Sequence, residues 1–491
     1  MKINFIITVL LLLVKFSESQ NTFLIHYPSD ADDSFYSAAE IDGAGFILCG
    51  SKIVSTQTLT LNATISKIDM QGNIIGETGL SNSDIYSNFS FIRKSRNNIS
   101  HYFVAGFQIL TDSTNYSGIW EYDTNLTLVN CIGGTFGDTL LNKSLKYINI
   151  GDTTFYILCN ANYPDQGPPD ISILKLNQSE GIVSCFLPSQ KSIRFSSGII
   201  YDSVAGNIKV AYVGQDAKIG LPVKVMSLDL NLNATATYEP NVFFNNLNYG
   251  FSLLNDSSII MTGYLYDFYN DKRLNAYKFD NNMNRLDSLN LFIDADTITY
   301  PGWDESVLSL DTATWVVGIY NLDPSTVWQP TPTWIQLSRI NSDFELTDQF
   351  YYGGDGVYFP FDIISTSDGG IMVVGNYFNP NAVPLALQRD PFVLKVNSEG
   401  LIVNVNNPEK PTAQEAIVLP NPGSEYLQVK LAIQHKNAHF QLFDINGRLV
   451  LEENLQGDMH RVSTSSLNSG TYIYRITASN RVIGSGKWVK D

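Results

Sequence analysis

The sequence predicts an all-β fold, and three observations predict it. The 491-residue chain draws on strand-forming Val, Ile, Tyr, Phe and Thr, with 12% aromatic and only 16% charged residues. Short apolar runs ended by Gly recur along most of its length, each followed by a second run of alternating type. After residue 411 that repeat stops and a different alternating pattern takes over. An apolar content of 44% excludes general disorder. A net charge of −17 argues against nucleic acid as a partner, because phosphate binding needs a basic stripe.

The first element is an address. Met1–Asn4 carries one positive charge, Phe5–Val14 is an apolar run interrupted by Thr8 alone, and Ser17-Glu18-Ser19 places small residues where a signal peptidase reads. A signal peptide is expected over residues 1–19. No other stretch approaches the length of about 18 apolar residues that spans a bilayer, so the mature chain is expected to have no transmembrane segment.

The repeat comes next. Its Gly-ended runs are Gly45–Gly50, Tyr102–Gly106, Lys209–Gly214, Ile259–Gly263, Trp315–Gly318 and Ile371–Gly375, with Phe155–Asn160 in the third slot. The partner runs are centred on Lys67, Glu121, Lys175, Ser227, Lys278, Arg339 and Lys395, spaced by 54, 54, 52, 51, 61 and 56 residues. Each copy holds about four short strands; in the first they read Ser34–Ile41, Phe46–Ser51, Ala63–Asp69 and Asn73–Gly79. An Asp or Asn closes each third strand and suits a tight turn. Four-stranded units of this length, repeated seven times, describe a seven-bladed β-propeller over residues 20–407. The segment Asn21–Tyr27 is expected to close the ring as the outer strand of the last blade, beside Pro391–Asn397, so that no edge is left open.

The four cysteines follow the repeat. Cys49 and Cys159 fall in equivalent slots of different copies, and Cys131 and Cys185 are one repeat apart. Such positions diverge beyond the roughly 7 Å Cα separation a bridge allows, so four buried, unbridged thiols are expected.

A linker at 408–415 leads to a smaller unit at 416–491. Its strands Tyr426–Leu431, His439–Asp444, Tyr472–Ala478 and Gly484–Val489 predict a small β-sandwich. Pro420-Asn421-Pro422, the turn Asp444-Ile-Asn-Gly447-Arg448, the turn from Leu467 through Gly470 to Tyr472, and the closing Gly486-Lys487-Trp-Val-Lys490 stand in order at the C-terminus. In these motifs residues 412–491 resemble the type A C-terminal sorting domain of the type IX secretion system of Bacteroidota. The resemblance implies export across both membranes of a Gram-negative cell by the type IX machinery, then release or retention at the outer surface. It assigns no catalytic residue. With this unit set aside, residues 20–411 hold 21 Lys and Arg against 40 Asp and Glu, a net −19 that repels anionic surfaces.

Chemistry is harder to place. His26 and His101 are the ring's only histidines, and neither has a nucleophile or metal-ligand spacing around it. The acidic groups Asp30/Asp32/Asp33 and Asp294/Asp296 lack full calcium-loop spacing, so no metal or cofactor is expected beyond a conceivable calcium ion. The aromatic loops after the second strands offer the better candidates: Tyr264, Tyr266, Phe268 and Tyr269 in the fifth copy, Trp328 in the sixth, Tyr377 and Phe378 in the seventh. Rings flanked by Asn and Asp suit sugars or peptides. The expectation is a secreted or surface-held propeller that binds a protein or glycan without catalysis. The alternative is an extracellular polysaccharide hydrolase or lyase working from carboxylates near the channel, for which two carboxylates and a basic group at one channel mouth would speak.

Overall fold

The computed structural model describes residues 21–491 except 30–31, 56–59, 81–85, 110–114, 137–140, 152, 163–169, 187–193, 215–220, 241, 245–249, 267–271, 293–297, 323–330, 381–387, 403–415, 432–437, 446–447, 458 and 479–480. The expected signal peptide and linker lie outside the described residues. Among the described residues all regular structure is strand.

The first four-stranded antiparallel sheet runs Asp33–Ile41, Gly45–Ser55, Thr60–Ile68 and Ile74–Gly79, in sequence order. Sheets of the same order begin at Tyr86–Lys94 and at Leu141–Ile150. Two further modules, starting with Arg194–Asp202 and Gly250–Leu253, are joined into one sheet because Phe243–Phe244 bridges Leu221–Leu228 to Ile259–Tyr266. The next module divides its first strand into Thr299–Pro301 and Val307–Ser309. The last contains Val357–Ser365, Ile371–Phe378 and Arg389–Val396, and its outer strand is Phe23–His26 from the chain's start. Phe23 pairs with Lys395 and His26 with Phe392, which is the closure expected from the sequence.

First strands of successive modules touch in sequence order, and Val357–Ser365 returns to touch Asp33–Ile41. The modules therefore close on themselves in the manner of a β-propeller, with apolar cores between neighbouring sheets. One such core joins Phe89 and Tyr102 to Ile47 and Ile65. Another joins Phe23 and Phe46 to Met372 and Val393.

The geometry explains the repeated glycine. A β-bulge interrupts the first strand between Phe35 and Ser37, between Phe89 and Phe91, and between Pro360 and Asp362. Opposite each bulge a carbonyl presses on the second strand. A Cβ at Gly50 would lie 1.7 Å from the Ser34 oxygen, at Gly106 2.5 Å from Asn88, and at Gly375 2.2 Å from Phe359. In the third module the bulge falls one residue further along, between Ser144 and Lys146, and there Asn160 stands in place of glycine.

The turns after the third strands share one hydrogen-bonded form. Asp69 Oδ1 accepts from the backbone N–H groups of Gln71 and Asn73; Asp123, Asp229, Asp280, Asn341 and Asn397 accept in the same way. The fourth residue of the turn takes positive φ. Glycine occupies it at Gly72 and Gly400, but Leu126, Leu232, Met283 and Phe344 occupy it elsewhere. Those four side chains are buried, so burial offsets a backbone conformation that costs a branched or bulky residue on the order of 1–2 kcal/mol.

The cysteine expectation needs one correction. All four thiols are free, but only Cys49 and Cys159 are buried. Cys131 and Cys185 are exposed, because they sit on outer strands whose far face meets solvent.

After the undescribed segment come two sheets sharing one core. Ala416–Leu419, Tyr426–Leu431 and Met459–Ser463 form the first; Leu449–Asn454, His439–Phe443, Gly470–Ala478 and Arg481–Lys490 form the second. Leu427, Val429, Phe440, Ile476 and Trp488 meet between them.

The closing strand also carries a titratable contact. His26 Nε2 lies 2.8 Å from the Tyr358 hydroxyl, which donates to Asp355 at 2.6 Å, and its ring stacks on Tyr377 at 4.0 Å. Burial lowers the His26 pKa below 6.5, with Asp355 opposing in part. The folded state thus favours neutral imidazole: this contribution to stability is complete above pH 6.5 and declines as pH falls toward the lowered folded pKa. Thermal midpoints should drop between pH 7 and pH 5 more steeply in the wild type than in His26→Gln, and equal slopes would refute the contact.

Candidate functional site

The bulged first strands aim polar side chains into the centre of the ring. Arg93 extends from the second module past the first to Asp362 in the last. Its Nη1 donates to Asp362 Oδ2 at 2.9 Å and its Nη2 to Oδ1 at 3.2 Å, a two-pronged pair. Nη1 also lies 3.0 Å from Ser37 Oγ, and that hydroxyl donates to Asp362 at 2.6 Å. The Ala38 N–H adds a contact at 3.3 Å. Asp362 is 1% exposed, so this network is its whole solvation.

A second pair bridges non-adjacent modules. Lys146 Nζ donates to Glu305 Oε1 at 2.9 Å and to the Asp304 carbonyl at 2.6 Å. The backbone N–H groups of Trp303, Asp304 and Glu305 donate to the carbonyls of Pro360 and Phe361, which fixes this segment along the neighbouring bulge. Among the described residues Asp304 has no comparable cation on its carboxylate. Burial, opposed by Lys146 and assisted by Glu305 and Asp362, raises its pKa to about 6. At neutrality this acid is therefore mostly ionised, and it is half protonated near pH 6.

Aromatic rings stand beside the charges. Trp303 is 40% exposed. Its ring meets Phe359 edge-on at 5.7 Å and Phe361 at 6.2 Å, and Phe361 meets Tyr36 at 5.0 Å. Toward the other end of the same strands a cavity of about 460 Å³ is lined by Glu40, Asp42, Arg93, Lys94, Glu305 and Ser252, among others. Among the described residues these strands therefore carry an exposed indole, the acid Asp304 outside any ion pair, and the pairs Arg93–Asp362 and Lys146–Glu305.

The expected loop aromatics fare differently. Phe268, Tyr269 and Trp328 lie outside the described residues, as do the side chains of Tyr264 and Tyr266. Tyr377 and Phe378 are nearly buried, at 9% and 7% exposure, and Tyr377 is covered by His26 and Tyr358. Of the acidic groups, Asp30, Asp294 and Asp296 are likewise outside the described residues; Asp32 pairs with Arg389 at 2.8 Å, and Asp33 accepts from Ser29 at 2.9 Å. His101 pairs with Glu121 at 2.6 Å.

Sequence reasoning missed Trp303, Asp304, Glu305, Arg93, Lys146 and Asp362. A signal was there for Asp362 alone, the one charge in the apolar run 357–364; Arg93 and Lys146 stand in first strands that carry other polar residues.

The sorting motifs form one clasp on the C-terminal strand. Trp488 Nε1 donates to the Pro420 carbonyl at 2.8 Å, Asn421 Oδ1 accepts from the Val489 N–H at 2.9 Å, and Asn421 Nδ2 donates to the Lys487 carbonyl at 2.6 Å. Both Leu419–Pro420 and Asn421–Pro422 are cis. Gly486 leaves room for Tyr474, whose hydroxyl a Cβ would approach to 2.6 Å. Tyr472 donates to the Asn468 carbonyl across the Gly470 turn, and Asp444 accepts from the Arg448 N–H. Gly447 is outside the described residues.

Comparison with known proteins agrees with this unit. Residues 417–490 match the secretion system C-terminal sorting domain. This is the sorting domain of the type IX system, and it marks a protein destined for secretion or the outer surface. Among the described residues no helix is long and apolar enough to cross a membrane. No curated protein matches the chain.

Solved structures similar to the chain include the extracellular domain of a hybrid two-component system of B. thetaiotaomicron, at 10% identity and TM-score 0.44, covering 96% of this chain and 57% of that one. The β-propeller domain of the Trilobed protease from Pyrococcus furiosus is 11% identical at TM-score 0.43, over 78% of this chain and 99% of that one. Puromycin hydrolase is 11% identical at TM-score 0.47, over 91% and 59%. The chain thus spans less than two thirds of the first and third of these proteins.

Proposed function

We propose that the chain is a seven-bladed propeller over residues 20–407, exported through a β-sandwich sorting domain at 416–491, and that its channel mouth binds an extracellular glycan without cleaving it. In this reading residues 1–19 are the signal peptide, 408–415 are the linker, and the source is a Gram-negative bacterium of the Bacteroidota type. The unbroken cycle of first-strand contacts supports the ring.

The observation that carries the binding reading is Trp303, an exposed indole set among Phe359 and Phe361 beside acids that can accept sugar hydroxyls. Against catalysis stands the pairing of the carboxylates. Glycoside hydrolysis ordinarily needs two that act as acid and as base or nucleophile. Asp362 is held by Arg93, Glu305 is held by Lys146, and Asp304 is left alone. The hydrolase reading keeps two specific supports: the cavity that gathers Glu40, Asp42 and Glu305 with Arg93 and Lys94, and the raised pKa of Asp304, which suits a general acid.

A glycan array probed with the full chain and with Trp303→Ala tests the proposal. Binding by the wild type, weakened about tenfold or more in the variant, is expected from the loss of ring stacking. A blank array, or equal binding by both proteins, would remove Trp303 from the account.

A further inference from the structure

The first sheet of the sorting domain has one apolar face in its own core and buries part of the other. Ala416, Val418, Leu427, Val429 and Leu431 point into its own core. On the alternate positions Ile417 is 2% exposed and Lys430 1% exposed, although strand alternation would ordinarily give those positions to solvent. The propeller covers them. Ile417 packs with Tyr320 and Tyr351 in a small core that Trp334 and Leu419 adjoin. The Lys430 ammonium stands 4.2 Å from the centre of the Tyr320 ring and 5.5 Å from that of Tyr351. The two tyrosines lie edge to face, 5.0 Å apart. A cavity of about 540 Å³ continues the seam between Trp334, Gly354 and Asp355 on one side and Pro422, Gln428 and Lys487 on the other.

A buried lysine is costly to desolvate, and an export tag that merely trailed from its cargo would have no use for one. The faces of two electron-rich rings contribute to replacing the water it has lost. Tyr320 ends the strand Thr314–Tyr320 and Tyr351 lies in Leu346–Gly353, so the cage belongs to the propeller and the cation to the tag.

We propose that Tyr320 and Tyr351 form an ammonium-binding site on the propeller which the sorting domain occupies with Lys430, so that the tag docks on its cargo and shields this surface until it is removed or displaced. The site fits a lysine side chain of a protein, and the acidic ring around it favours a cationic visitor. This contact is independent of the channel mouth and of the glycan reading.

The test uses the full chain with a protease site placed in 403–415. After cleavage of the folded protein, association of the two fragments is measured by size exclusion and by titration. The wild-type fragments should stay together and Lys430→Arg should largely do so. Lys430→Gln on one side and Tyr351→Leu on the other should each weaken association about tenfold, the scale of a desolvated cation–π contact. Circular dichroism before cleavage selects the variants that are folded, and the two substitutions lie on different units, so one of them suffices. Wild-type fragments that separate freely, or a folded Lys430→Gln that associates as tightly as the wild type, would overturn the proposal.

Discussion

Replacing Asp362 with alanine should destabilise the ring by about 1.5–3 kcal/mol, the scale of hydrogen bonds to a charged group, because the Arg93 side chain left behind is one-third exposed. The cost comes chiefly from what stays behind. Arg93 would keep its guanidinium against Ser37 and the Ile92 carbonyl with only the more distant Glu305 to offset its charge, and the Ala38 N–H would lose an acceptor. Because the pair ties the second module to the last across the first, the loss should appear as one lowered unfolding transition. The double variant Arg93→Met with Asp362→Leu should recover much of the stability, since apolar pairs of similar volume often equal a buried ion pair. Thermal unfolding of the three proteins decides the matter. A single variant within about 0.5 kcal/mol of the wild type, the range of ordinary surface changes, would mean the network bears no strain of closure.

Removing residues 21–27 should be worse still. Phe23, 1% exposed, packs with Phe46, Ile68 and Met372, and truncating such a ring to alanine alone costs about 3–5 kcal/mol. The deletion also strips the four residue pairs from Phe23–Lys395 to His26–Phe392 and leaves Arg389–Val396 as an open edge. An unpaired, apolar edge is a template for aggregation. The truncated chain should therefore unfold at much lower temperature and associate at concentrations where the intact chain does not. Light scattering during a thermal ramp reads both effects. An unchanged transition would show that the N-terminal strand is not the closing one.

These two expectations draw on features of different legibility. The closing strand could be read from the sequence because it sits before the first repeat exactly where an outer strand is missing from the last, and repetition exposes such a gap. The glycines could be read as a repeat, but their cause could not: only the bulges show a carbonyl lying where a Cβ would go. The apolar turn residues Leu126, Leu232, Met283 and Phe344 gave no warning, since their positive φ contradicts local preference and is sustained by burial between sheets.

The site was least legible, for a physical reason. Arg93, Asp362, Lys146 and Glu305 come from four repeats and meet only because the ring closes. Aromatic content in loops pointed to Tyr377 and Phe378, yet the rings are taken up by His26 and Tyr358 and by neighbouring strands. Trp303 lies in a short interruption of a first strand rather than in a long loop, so loop length was the wrong guide. The sorting motifs were legible because each performs a local backbone task, Pro420 and Asn421 against the last strand and Asp444 and Tyr472 within their own turns.

The central claim, that the channel mouth binds a glycan and does not turn it over, is open to one calorimetric titration of the full chain with a polysaccharide selected on the array. A saturable isotherm is expected, one site per chain, with heat returning to baseline after each injection and with affinity about tenfold or more lower in Trp303→Ala. Sustained heat flow after injection, abolished by Asp304→Asn, would instead make the channel a hydrolytic site.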